Sequence, residues 1–231
     1  MNKKSIWLIT AKTNLHVGNE NTSNYGLIDL AVQRNATTGL PCINSSSLKG
    51  ALNEFAANRP ELDPEDLIRI FGCDKKKRKD KTEKGKYTFF DANILFLPVQ
   101  DDEHLFQLVT CDAVLNRFTS QVELLTNGTV KIDKDQLKKD FGCSKVISDK
   151  EFNERCKDDN LPIIARNVLD NGESKNLWYE QVVPAETVFY TIIDSGNDEK
   201  LAKLLSAEKT IVQIGANASI GYGYCKFTNL K

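Results

Sequence analysis

The sequence predicts an α+β fold in which a strand–helix–strand unit is used twice. Three observations carry that prediction. Strand-sized apolar runs lie near both ends of the chain, stretches with helical spacing separate them, and the polar segments in between are long enough to be insertions.

The elements follow in order. "SIWLITAKTNLHVG" (5–18) alternates as a strand and ends at a glycine, and "NENTSNYG" (19–26) is a polar loop. "LIDLAVQR" (27–34) reads as a short strand and "NATTGLP" (35–41) as a turn cluster. Ser46 or Ser47 can N-cap a helix that runs to Arg59 with Leu48, Leu52 and Phe55 on one face. Pro64 opens a second helix that Gly72 stops. A strongly basic, low-complexity loop follows at about 74–86 and reads as a solvated insertion. "YTFFDANILFLPV" (87–99) and "LFQLVTCDAVL" (105–115) are strands, the latter passing into a helix around "NRFTSQVELL". Residues 127–165 turn polar and charge-alternating, as an arm outside the core would. "ARNVLDNGESKNLWYEQ" (165–181) is a hairpin turning at Asp170-Asn171-Gly172. "ETVFYTIID" (186–194) is a strand, "NDEKLAKLLSA" a helix capped by Asn197, and the remainder a strand, a glycine-bearing loop and a last strand. With the insertions set aside, the order is strand, helix, strand, strand, helix, strand. That is the ferredoxin-like split βαβ arrangement, shared with RRM-type RNA binders, and it assigns no function by itself.

The 231 residues are 40% hydrophobic and 27% charged, which suits one elaborated domain spanning 1–231 with a real core. No apolar run reaches membrane length, and the N-terminus lacks a signal-peptide pattern, so a cytoplasmic protein is expected. Six cysteines without a CxxC pair suggest neither a zinc site nor a disulfide framework. With a net charge of −1, any basic surface for nucleic acid must be local.

The stretch from 26 to 50 is such a place: Asp29 interrupts an apolar run, Arg34 closes it, and Lys49 follows "SSS" at a helix start. Read as chemistry alone, each has two meanings. Asp29 either holds a loop amide or presents a carboxylate. Arg34 contacts a phosphate backbone or forms a surface ion pair. Lys49, with Ser46 and Ser47, either adds charge and hydroxyls to an anion site at the helix N-terminus or is a solvated lysine on a capped helix. "SSSLKG" is not a P-loop, because the leading glycine is missing. His16 is either a general base or a histidine closing a strand, and His104 is the other histidine of the chain. Gly215, Gly221 and Gly223 would let backbone approach RNA or pack on the sheet. Tyr222, Tyr224, Trp178 and Tyr179 could stack on bases or simply pack.

"LHVG", "GLIDLAVQR…TGLPCI", "SSSLKGAL", "IFG", "FFDANILFLPV", "LVTCDAVLNRF", "LWYEQVVPAETVFY" and "VQIGANASIGYGY" together resemble the RAMP superfamily, in particular the repeated backbone subunit of type III-B (Cmr) CRISPR effector complexes. The basic loop and residues 127–165 lie outside the resemblance. Ser45 stands where the family tends to have glycine, and Gly215-Ala216 replaces a glycine pair. The resemblance implies a ferredoxin-like palm with finger-like insertions and a thumb or arm inserted at about 117–181. It implies guide crRNA, complementary target RNA, further copies of the chain in a filament and other Cmr subunits as partners, and no membrane. It makes Asp29 the residue that cleaves target RNA, with His16, Arg34, Ser46, Ser47, Lys49, Gly215, Gly221 and Gly223 along the RNA. An exposed carboxylate of ordinary pKa, about 4, is a poor base at neutral pH, so Asp29 is expected to hold a transient Mg²⁺ or other divalent cation completed by RNA phosphate and water. The expected products are a 2′,3′-cyclic phosphate and a 5′-hydroxyl. Two alternatives stand beside this: a non-catalytic crRNA-binding scaffold, and a stand-alone RNA-processing nuclease using His16.

Overall fold

The computed structural model describes residues 4–18, 28–73, 82–171 and 173–230. The expected polar loop 19–26, most of the basic loop, and Gly172 of the expected hairpin turn lie outside those residues. The elements begin with β1 (Lys4–Ala11), β2 (Cys42–Ile43), α1 (Ser45–Ala57), α2 (Pro64–Phe71), β3 (Gly72–Cys73) and β4 (Glu83–Lys84). They continue through β5 (Thr88–Phe89), β6 (Ala92–Val99), β7 (Gln107–Cys111), α3 (Asp112–Leu125), α4 (Lys134–Asp140), β8 (Cys143–Ile147) and α5 (Asp149–Arg155). The chain then forms β9 (Ile163–Asp170), β10 (Glu173–Gln181), β11 (Val188–Asp194), α6 (Lys200–Ser206), β12 (Val212–Gln213) and β13 (Tyr224–Leu230).

One mixed sheet runs β12-β13-β1-β11-β6-β7-β8, with β2 beside β6 and β5 beside β11. Its middle four strands, β13-β1-β11-β6, are antiparallel neighbours throughout. The unit β1–α1–β6 therefore interleaves with β11–α6–β13, which is the ferredoxin-like topology expected. Every residue from Ile6 to Ile9 is buried, so this sheet is covered on both faces. Leu8 pairs with Tyr190, whose ring lies 4.6 Å from Phe118 of α3, while Trp7 on the opposite face meets Phe227 at 6.1 Å.

Residues 127–161 differ from the expectation of an arm outside the core. Their surface is polar, yet β8 extends the main sheet by pairing in parallel with β7. Leu137, Cys143, Ile147, Phe152, Cys156 and Leu161 drop into the core. The charges lie on the outer faces of two seven-residue helices, too short for their periodicity to stand out in the sequence. The segment that does stand apart is β9–β10, a two-stranded antiparallel sheet of its own.

The expected strand at 27–34 does not form in its described residues. Leu30, Val32 and Arg34 make isolated bridges to Glu180, Gly18 and Pro41, three different partners, so no ladder can propagate. Helix α1 is not capped by Ser46 or Ser47. Asn44 is its N-cap without a side-chain bond, and the Ser45 amide donates to Asp91 Oδ1 at 2.7 Å. A carboxylate from the turn before β6 thus serves the helix dipole. Helix α6 starts at Lys200 rather than after Asn197. Helix α2 begins as read, with Pro64 in its first turn and the Asp63 carboxylate accepting from Asp66 N. Among the described residues, no helix is long and apolar enough to cross a membrane.

Candidate functional site

Asp29, His16 and the glycine loop converge on the root of the β9–β10 hairpin. The Asp29 and Leu30 amides donate to the Tyr179 carbonyl at 3.0 and 3.1 Å. In return, Tyr179 N donates to Asp29 Oδ2 at 2.7 Å. Asp29 therefore holds a neighbouring amide, as one of its two readings supposed, and does so with one carboxylate oxygen from an exposed position. That bond fixes the direction of the carboxylate.

His16 lies inside, only 3% exposed. Its Nδ1 is 2.7 Å from the Gln181 carbonyl oxygen and 3.6 Å from Glu180 Oε1. Glu180, 2% exposed, also accepts from Arg166 Nε at 3.2 Å and from Asn217 Nδ2. The Arg166 guanidinium lies 4.7 Å from the centre of the Tyr222 ring. A buried carboxylate is tolerable only when paired and hydrogen-bonded, and here it has a cation, an amide donor and a histidine around it.

Gly215 and Gly223 belong to this packing. Both have positive φ, and a Cβ at either would run into a carbonyl oxygen, of His16 and Ile214 respectively. Gly221 is also left-handed but open to space. The close approach these glycines allow is therefore to the protein's own backbone, with Ala216 N donating to His16 O at 2.9 Å and Gly223 N to Asn14 O at 2.9 Å.

Arg34 has the ion pair that the sequence left open. Its Nη2 is 2.6 Å from Asp158 Oδ1, and Nη1 donates to the Gly39 and Cys156 carbonyls at 2.8 and 2.7 Å. The start of α1 is tied to the same strip: Gln33 donates to Ser47 Oγ at 3.0 Å and accepts from Asn44 N at 2.8 Å. Ser46 is exposed and Lys49 half-buried on the first turns of α1. Nearby thiols offer no nucleophile. Burial pushes Cys42 up to about 11, the Asp91 charge adding to it, and pushes Cys156 up to about 12. Among the described residues, no three His, Cys, Asp or Glu side chains group so as to hold a metal ion.

The sequence reading missed Glu180, Gln181, Arg166 and Gln33. Glu180-Gln181 did leave a signal, two polar residues set between "LWY" and "VVP" where a buried strand would be apolar.

The sequence profile of the RAMP superfamily matches residues 8–226. The "CRISPR system Cmr endoribonuclease Cmr4" of Pyrococcus furiosus is 27% identical over an alignment covering 88% of each chain. The "CRISPR system Cms endoribonuclease Csm3" of Streptococcus thermophilus is 36% identical over 36% of this chain and 41% of its own. A chain of type III-B Cmr-beta bound to cognate target RNA superposes with a TM-score of 0.75 at 19% identity, covering 98% of this chain and 97% of that one. Oligomeric Cmr4 from Pyrococcus furiosus gives a TM-score of 0.69 at 21% identity, covering 98% of each.

Proposed function

Since this chain belongs to the RAMP superfamily, we propose that it is the repeated backbone subunit of a type III-B CRISPR effector in the cytoplasm, where copies of it hold a guide crRNA and cut complementary target RNA. The observation that carries this reading is the exposed Asp29 carboxylate, held in one direction at the root of a hairpin that stands out from the sheet. A relative matched along most of both chains is named an endoribonuclease of a Cmr system, and a neighbour in fold comes from a type III-B Cmr-beta bound to cognate target RNA.

The chain's own contribution is placement. RNA supplies the nucleophile: the 2′-hydroxyl oxygen, losing its proton to water, bonds to phosphorus as the bond from phosphorus to the 5′-oxygen breaks. This leaves a 2′,3′-cyclic phosphate and, after protonation, a 5′-hydroxyl. Among the described residues, nothing forms a resident metal cage, because Asp29 is a single carboxylate there. A divalent cation arriving with RNA phosphate and water would supply charge neutralisation at the cut. Asp29 sets a negative group beside the backbone to be cleaved, and Lys49 with the exposed Ser46 gives α1 a polar edge for guide phosphate. His16 suits the processing-nuclease alternative poorly, being buried against Gln181 and Glu180.

The test is to purify the chain with its complex and sequence the small RNA that comes with it, then offer end-labelled RNA complementary to that guide. The reading predicts a discrete co-purifying RNA. It also predicts divalent-dependent cuts at a regular spacing, abolished by 2′-deoxy substitution at the cut positions. Tight target binding without cuts would favour the scaffold instead.

A further inference from the structure

Gln181, the last residue of β10, is wholly buried, at 0% exposure. All four of its polar atoms are engaged, on three segments distant in sequence. Nε2 donates to the main-chain oxygen and Oδ1 of Asp158 at 3.1 and 3.2 Å. Oε1 accepts from Val32 N at 3.1 Å. The backbone amide donates to Leu30 O at 2.9 Å, and the backbone oxygen meets His16 Nδ1 at 2.7 Å.

Burying a side-chain amide stabilises a fold only when its bonds are all made, and an apolar side chain of the same size would fill this volume without that demand. The polarity therefore has a directional effect. Residues 28–34 have no strand ladder of their own, only isolated bridges. Gln181 holds them twice, at Leu30 through its backbone and at Val32 through its side chain, just after Asp29.

We propose that Gln181 is the positioning residue of the cleavage site, its side-chain amide clamping the Asp29 segment onto the hairpin root so that the Asp29 carboxylate keeps one direction toward the RNA. This rests on the reading of Asp29 above. It makes no contact with RNA and acts through Val32, Leu30 and the Asp29–Tyr179 exchange.

The experiment uses the assembled ribonucleoprotein with Gln181→Leu, Gln181→Glu and Asp29→Asn. Single-turnover cleavage at saturating complex and target Kd are measured separately. Gln181→Leu is expected to slow cleavage by about tenfold or more while target Kd stays within about twofold. Gln181→Glu adds a pH readout to the split between cleavage rate and target Kd. As the neutral acid it can still donate to Asp158 and accept from Val32 N. A carboxyl group buried against the Asp158 carboxylate and carbonyl binds its proton above the usual carboxylate range, despite Arg34 on the far side of Asp158. Its rate relative to the parent should therefore climb as pH falls from about 8 to about 6, with His16 and Glu180, the other titratable groups facing this position, present in both proteins. Cleavage by Gln181→Leu within twofold of the parent, with Asp29→Asn inactive, would overturn the clamp and leave the Asp29 reading intact. A Gln181→Leu that fails to assemble, or loses binding in step with cleavage, together with a flat ratio for Gln181→Glu, overturns it too. If Asp29→Asn cuts normally, the reading beneath the clamp fails and the clamp with it.

Discussion

Gly215 has no room for a side chain and the wrong φ for one, and so has Gly223. Alanine at either is expected to cost about 2 kcal/mol or more, because a strained φ and a backbone collision add. Gly221→Ala meets only the φ penalty, about 1 kcal/mol. Thermal denaturation should therefore rank Gly221→Ala well above the other two. Arg34 and Lys49 separate in the same way. Arg34→Ala removes the donor to two backbone carbonyls and the partner of Asp158, so it should lower the melting temperature. Lys49→Ala should leave the melting temperature unchanged, weaken guide binding whatever the sequence, and reduce the salt slope by about 1. Sequence-selective loss in a filter-binding assay would contradict phosphate contact by Lys49. From sequence, both cations were legible as candidates at the right edge, but nothing there could tell which one the fold had already used, since Asp158 lies far along the chain.

Two elements far apart in sequence, α2 and α6, are joined by one buried carboxylate. Asp66 takes Lys200 Nζ at 2.5 Å and Arg69 Nη2 at 2.7 Å, and Arg69 reaches on to Asp198 at 2.7 Å. The Lys200 hydrogen bond, chiefly, holds the Asp66 carboxyl below its ordinary value of 3.8. A depressed carboxylate contributes stability that is fully present above that ordinary value and is lost as pH falls through the folded one. Asp66→Asn is therefore expected to melt below the parent at neutral pH, with the gap narrowing under acid, below about pH 4. A gap that stays constant with pH would show that the pair contributes nothing through its charge. At this scale the elements with strong periodicity or good caps were legible in the sequence, such as α2 behind Asp63-Pro64 and the β11 run. It hid α4, β8 and α5, where core residues are spaced among charges over seven-residue helices and a five-residue strand. It also suggested a strand at 27–34, because alternation alone does not reveal that alternate residues pair with three different partners.

Across the whole molecule, the sheet supplies a rigid platform and the hairpin root gathers His16, Asp29, Glu180, Gln181 and the glycine loop at one place. The topology could be read from element order once the insertions were set aside. The site could be read only in part, because Asp29 stands out in its run while the residues that orient it come from 150 positions later in the chain. As proposed, Asp29 takes part in cutting RNA and does not merely hold the Tyr179 amide, and Asp29→Asn separates the two roles. The asparagine oxygen can still accept from Tyr179 N, so folding, assembly and guide binding should match the parent, while the carboxylate charge is gone. The decisive measurement is the single-turnover cleavage rate of guide-complementary RNA by the Asp29→Asn complex at saturating divalent cation. A fall of about a hundredfold or more with target Kd unchanged is expected; cuts at the same positions and a comparable rate would contradict a role for Asp29 in cleavage.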